Sequence, residues 1–269
     1  MSDTPAIMWR NLLAEGTVTL LAGTEEPGFP LANAFIADPL RPARIAADAT
    51  GTIRFQVDIA AVRAVGYGTA GYGIGPFGRW TVQGIVLGAA RHDPAGWRTA
   101  RLAWTVNGVP LTDYGWENKS WIVLLDPPID ADVLTFEITG LAAGQVVSIP
   151  ALAAGAVLRM PALDLGFDPY TEESVGVDFR TESGRVYQAL RYRRIRMKPR
   201  WSYIEETLWS WLDIVREEAI ELRKAFWFAW APLAAPHETY LVRHEPKMAE
   251  MPIVQPAFRS LQLDLVEVI

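Results

Sequence analysis

Apolar and polar residues alternate over several short stretches of this chain, and those stretches predict β-strands. The clearest covers 52–58: Ile53, Phe55 and Val57 alternate with Thr52, Arg54 and Gln56, so three apolar side chains share one face. Leu134, Phe136 and Ile138 stand in the same relation to Thr135, Glu137 and Thr139, which predicts a half-buried strand over 133–138. Further runs over 17–22, 62–67, 79–87, 100–106 and 121–125 are separated by Gly, Pro, Asp and Asn, the punctuation of an antiparallel sandwich. Residues 5–13 read as a helical or irregular lead-in.

Between 141 and 161 the composition turns to Ala, Gly, Val and Pro. The expectation is a first module over 1–150, a linker over 151–160 and a second module over 161–269. A long β segment over 184–197 opens the second module. Then Ile204, Leu208, Trp211, Leu212, Val215, Ala219 and Leu222 recur at helical spacing and predict a helix over 202–224 with one apolar stripe. Ser202 with Glu205 reads as a capping box, and Arg223 and Lys224 lie where the helix dipole favours cations. Strands over 226–230, 239–244 and 260–269 complete the module. The expected fold class is therefore mainly β: a jelly-roll-like β-sandwich, then a C-terminal β-sandwich with one flanking α-helix.

Composition narrows the function. At 269 residues two domains are the better expectation, and 11 Trp, 10 Phe and 8 Tyr supply ample material for their cores. A formal charge of -6 and a pI near 5.2 disfavour a chain that coats nucleic acid, which needs clustered cations to displace phosphate counterions. The absence of cysteine excludes disulfide staples, thiolate metal sites and a Cys nucleophile together. No stretch reaches the ~18 consecutive apolar residues of a membrane helix. The first ten residues lack the basic and apolar regions of a secretory signal, so synthesis in the cytoplasm is expected.

Reactive constellations are scarce. Glycines 68, 71, 73, 75 and 78 invite a phosphate-loop reading, but a phosphate cradle leads into a helix, and here a strand is expected next. No nucleophile elbow, Walker loop or dinucleotide fingerprint is present. His92, His237 and His244 match no standard zinc spacing. Asp130 with Asp132, and Glu217 with Glu218, are explained by solvated faces. Glycosidase carboxylates have no sequence signature, so a polysaccharide hydrolase remains the least favoured alternative. No cofactor or metal is expected.

Two groups suit contacts with other molecules. Arg191, Arg193, Arg194, Arg196, Lys198 and Arg200 form a dense basic run. In an extended segment Arg194, Arg196, Lys198 and Arg200 share one face and Arg191 and Arg193 the other. The run fits a protected sheet edge, a subunit contact with Glu172, Glu173 and Glu182 of a neighbour, or DNA in a channel. Trp209 faces away from the stripe that holds Trp211 and is a candidate interface residue. In the first module Tyr72, Phe77, Trp97, Tyr114 and Trp116 fall in loops or near strand ends, as anchors or as rings that stack on sugars. Trp97 and Trp116 are the candidate glycan contacts.

The segments "LANAFIADPLRPARIAADATGTIRFQVD" (31–58), "AVRAVGY", "GPFGRWTVQG" and "SWIVLLDPPIDADVLTFEITG" (120–140) resemble discoidin-like (coagulation factor C-type) β-sandwich domains of phage tail proteins. The segments "RVYQALRYRRIRMKPRWSYIEETLWSWLDIV" (185–215), "AFWFAWAP" and "FRSLQLDLVEVI" resemble the C-terminal part of siphophage tail-tip proteins, similar to the tail-tube and distal-tail building block. The resemblance spans most of 30–269. It implies a non-enzymatic structural component of a bacteriophage tail tip or baseplate, made in the host cytoplasm and located in the virion tail. Its C-terminal module would assemble as a homo-oligomeric ring beside hub, tail-tube and tape-measure proteins, burying Leu261, Leu263 and Leu265 or the Trp209 face. Its N-terminal module would be displayed outward, toward a host surface glycan. It implies no direct nucleic-acid role and no membrane insertion. The ligand loops of discoidin domains find no residue-by-residue match here, so no ligand site is carried over. The alternative is a carbohydrate-binding, lectin-like protein with no assembly role.

Overall fold

The computed structural model describes residues 3–36, 38, 41–63, 81–88, 101–115, 120–180, 186–245, 253–255 and 258–268. The chain forms two compact units, and neither is a continuous stretch of sequence. An amino-terminal unit comprises Arg10–Leu158 and Ala231–Thr239. A carboxy-terminal unit comprises Met1–Trp9, Arg159–Trp230 and Tyr240–Ile269. This differs at both ends from the expected division near residue 150. Strand β1 (Ala6–Met8) is the reason at one end, because its partner is the strand Phe226–Ala229, with Ala6 opposite Ala229.

The amino-terminal unit contains β2 (Thr17–Ala22), β3 (Thr24–Glu25), β4 (Ala43–Ala46), β5 (Ile53–Asp58), β6 (Val82–Gly88), β7 (Arg101–Val106), β8 (Val109–Gly115), β9 (Trp121–Ile129), β10 (Val133–Thr139), β11 (Val146–Ile149) and β12 (Ala151–Gly155). They form a β-sandwich: a five-stranded antiparallel sheet, β2-β5-β10-β7-β8, with two three-stranded sheets, β11-β4-β3 and β12-β6-β9. The alternation in the sequence builds the core. Ile53, Phe55, Val57, Leu134, Phe136 and Ile138 are all fully buried. The register places Phe136 opposite Phe55 with stacked rings 5.2 Å apart, while Glu137 opposite Arg54 makes two 3.2 Å bonds on the outer face.

Two departures have clear causes. Strand β8 carries no alternation signal, yet Asn107-Gly108 closes a two-residue hairpin into it, with φ of 49° and 76° at the two positions. Asn-Gly is the pair best suited to such a turn. Asn107 also accepts from the Thr135 amide at 2.8 Å. The expected linker, 151–160, instead holds β12 and β13 (Leu158–Arg159), and Ala151, Leu152, Ala153 and Ala154 are buried. Its small residues mark close packing. A Cβ on Gly88 would lie 2.5 Å from that of Ala151, and one on Gly155 would collide with the Arg10 carbonyl. The expected strand over 62–67 begins as a short helix, α2 (Ala60–Arg63), the second after α1 (Leu12–Glu15); the Gly-rich segment beyond it lies outside the described residues.

The carboxy-terminal unit adds β14 (Glu172–Arg180), β15 (Val186–Met197), β16 (Arg200–Glu205), α3 (Glu206–Val215), β17 (Phe226–Ala229), β18 (Thr239–His244), β19 (Ile253–Gln255), β20 (Phe258–Gln262) and β21 (Leu265–Glu267). One sheet has the order β13-β1-β17-β18-β21-β15-β14 and a second the order β16-β20-β19. The expected helix starts late. Residues 202–205 are strand, because Asp164 takes the Ser202 amide (3.0 Å) and hydroxyl (2.6 Å), so Ser202 caps nothing. After α3 comes a π-helical turn, Arg216–Ile220. A π turn inserts one residue and rotates the next side chains about the helix axis, so Ile220 is buried and Leu222, assigned to the stripe, is 60% exposed.

Candidate functional site

The register of the five-stranded sheet defines two ends of the amino-terminal sandwich. At one end stand Asp58, Val133, Thr17 and the Asn107-Gly108 turn. At the other stand Ile53, Thr139 and the paired residues Arg101 and Gly115. In the β12-β6-β9 sheet, Leu87 pairs with Trp121. The connections 89–100 and 116–119 therefore share anchors: each joins the Leu87–Trp121 pair to the Arg101–Gly115 pair. Trp97 belongs to the first connection and Trp116 to the second, and both side chains lie outside the described residues. So do Tyr72, Phe77, His92 and the side chain of Tyr114.

Described loops flank these anchors. Loop 47–52 is held by Asp48, which accepts from the Thr50 amide (2.9 Å), the Thr50 hydroxyl (2.7 Å) and the Thr52 amide (2.9 Å). Those hydrogen bonds, led by the Thr50 hydroxyl, hold the half-buried Asp48 carboxyl below its ordinary range. Loop 47–52 is also joined to loop 140–145: Ala47 donates to the Gln145 carbonyl (2.9 Å), Gly144 to Ala47 (3.1 Å) and Leu141 to Gly51 (3.2 Å). These hydrogen bonds order the two loops as one piece. Segment 231–239 lies beside the start of β9, where Ser120 bridges to Thr239 and the Ile122 amide donates to the Pro236 carbonyl at 3.1 Å.

The basic run is placed differently from expectation. Arg194 meets Glu173 at 2.7 Å and Glu245 at 3.2 Å, and Arg196 grips Asp264 through two bonds of 2.9 and 2.6 Å. Of the carboxylates expected from a neighbouring subunit, Glu172 and Glu173 pair with these arginines within this chain, and Glu182 lies outside the described residues. Arg193 makes an exposed 3.5 Å pair with Glu172, a geometry worth about 0–1 kcal/mol. Arg191 is the extra residue of a β-bulge between the pairs Val175–Tyr192 and Gly176–Leu190. Trp209 donates from Nε1 to the Ile204 carbonyl at 3.1 Å and carries the Arg259 guanidinium over its ring at 4.1 Å, so it is engaged within its own unit. Leu261, Leu263 and Leu265, expected as an assembly edge, are buried in that unit. Glu218, assigned to a solvated face, accepts from Trp9 Nε1 at 3.1 Å.

This ionic cluster has a pH signature. The Arg196 hydrogen bonds hold the Asp264 carboxyl below its ordinary value of 3.8, with burial opposing. A depressed carboxyl contributes stability above its unfolded pKa and loses that contribution as pH falls through the folded one. Thermal unfolding between pH 7 and pH 2 should fall more steeply below about pH 4 for the native chain than for Asp264→Asn. Parallel curves would mean that the pair contributes nothing.

Among the described residues no three His, Asp or Glu side chains gather as a metal-binding group, and no helix is long and apolar enough to cross a membrane. His237 and His244 belong to different units. No protein-family profile and no curated protein matches the sequence. Among solved structures, the chain is similar to the family 32 CBM from C. perfringens NanJ in complex with galactose: 18% identity, TM-score 0.37, covering 56% of this chain and 99% of that one. It is also similar to the lectin domain of Lectinolysin complexed with Lewis B antigen, at 9% identity and TM-score 0.36, covering 54% and 95%. A fucose binding module from Streptococcus pneumoniae gives 7% identity and TM-score 0.36, covering 54% and 96%.

Proposed function

We propose that the chain is a non-enzymatic carbohydrate-binding protein whose amino-terminal sandwich takes glycans at the Arg101–Gly115 end. The observation that carries this reading is the shared anchoring of the connections that contain Trp97 and Trp116. An aromatic ring offers a sugar its apolar face while loop polar groups meet the hydroxyls. Screening the full chain on a glycan array tests the reading. Binding should be present, and Trp97→Ala or Trp116→Ala should weaken it at least tenfold, about 1.4 kcal/mol, without changing the unfolding temperature. Binding that survives in both variants would contradict this placement.

A second reading, a phage tail-tip component, is supported by β14 and β15. Among the described residues, Arg196 and Met197 of β15 pair with β21, whereas residues 186–190 and 192–195 pair with β14, the last strand of its sheet. A two-stranded ribbon is marginally stable alone in water, and its open edge invites another strand. A neighbouring subunit in a homo-oligomeric ring would cover it, with hub, tail-tube and tape-measure proteins as further partners and the glycan-binding unit facing a host surface. Purified virions should then carry the chain in several copies around the tail axis. Its presence only as a free monomer in infected cells would end this reading.

A further inference from the structure

We propose that Trp121, His237 and Glu238 form one wall of the glycan site and give it a preference for neutral over acidic sugars. The inference rests on the carbohydrate reading and names a part of the sandwich end that touches the ligand. Trp121 opens β9, and its half-buried ring meets the His237 imidazole at 5.4 Å between centroids, with the planes inclined by 51°. His237 arrives from a segment more than a hundred residues away in sequence. It is fixed there by the Ser120–Thr239 bridge, by the bond from the Ile122 amide to the Pro236 carbonyl, and by the Thr239 hydroxyl, which donates to the same carbonyl at 2.8 Å. Glu238 comes directly after it, with one carboxylate oxygen 3.9 Å from His237 Nε2. The side chain of His237 is 36% exposed and that of Glu238 9%.

A pyranose has a face of C–H groups and a rim of hydroxyls. The indole suits the face. The carboxylate accepts hydroxyl protons, and the imidazole donates or accepts one. A hydrogen bond to a charged acceptor is stronger than a neutral one, and it strengthens further away from water. The same near-buried charge repels the carboxylate of a sialic or uronic acid. The segment that supplies His237 and Glu238 belongs to the amino-terminal unit although the chain on both sides belongs to the other.

The test uses the full chain on an array of neutral and acidic glycans, then calorimetry with the best neutral ligand. His237→Ala and Glu238→Gln should each weaken binding about tenfold. Glu238→Gln should also narrow the gap between neutral and acidic sugars. Thermal unfolding checks that each variant folds, and His237→Ala, at a half-buried side chain, keeps the test available if Glu238→Gln does not. If the native chain binds neutral glycans and both folded variants bind equally well, this inference is overturned while the carbohydrate reading stands. A preference of the native chain for acidic glycans overturns it as well. Failure to bind any glycan removes the underlying reading, and the inference with it.

Discussion

Phe136→Ala should destabilise the amino-terminal unit by about 3–5 kcal/mol, the range for removing a buried aromatic ring. Phe136 is fully buried, and its ring stacks on Phe55 at 5.2 Å. It sits on β10, hydrogen-bonded to β5 on one side and β7 on the other, so the backbone around the vacancy is held on both flanks and collapses little. Phe136→Leu keeps most of the volume and should cost less than about 2 kcal/mol. Urea unfolding of the three proteins measures this directly. A loss under about 1 kcal/mol for the alanine variant, on the scale of a surface substitution, would mean that the Phe136 ring is not part of a packed core.

Gly51→Ala should have the second largest effect, and it links stability to binding. Gly51 has φ +74°, and a Cβ there would collide with the Leu141 carbonyl oxygen. The backbone term alone costs roughly 1–2 kcal/mol, and the clash forces apart the two loops that Gly51 and Leu141 join. We expect a total of about 3 kcal/mol or more, with weaker glycan binding because those loops rim the proposed site. Gly28→Ala is the control. Its φ is +85° with nothing within 4 Å of the added atom, so it should show the backbone term only. Equal losses in the two variants would show that the contact with Leu141 has no energetic weight.

Strand period was legible in the sequence where one face meets a core and the other meets water. Ile53, Phe55 and Val57 announced β5, and Leu134, Phe136 and Ile138 announced β10. Strand β8 was not read from the sequence, because it carries no alternation; the Asn107-Gly108 pair is the signal that could have found it. The features that could not be read depend on partners distant in sequence. Ser202 resembles a helix cap until Asp164, 38 residues earlier, takes its amide and hydroxyl. Arg196 resembles an interface cation until Asp264, 68 residues later, pairs with it. Ala151 and its small neighbours carry no strand signal, because their role is to let other backbones approach. For the candidate site, the sequence offered Trp97 and Trp116 only as aromatic residues in expected loops, and both lie outside the described residues; no local pattern ties His237 to Trp121.

The carbohydrate reading is tested most directly by a crystal structure of the full chain bound to the strongest ligand from the array. The sugar should lie at the sandwich end marked by Arg101, Gly115 and Trp121, with an aromatic ring against its C–H face. A sugar seated instead at the Asn107-Gly108 end, or on the carboxy-terminal unit, would contradict it.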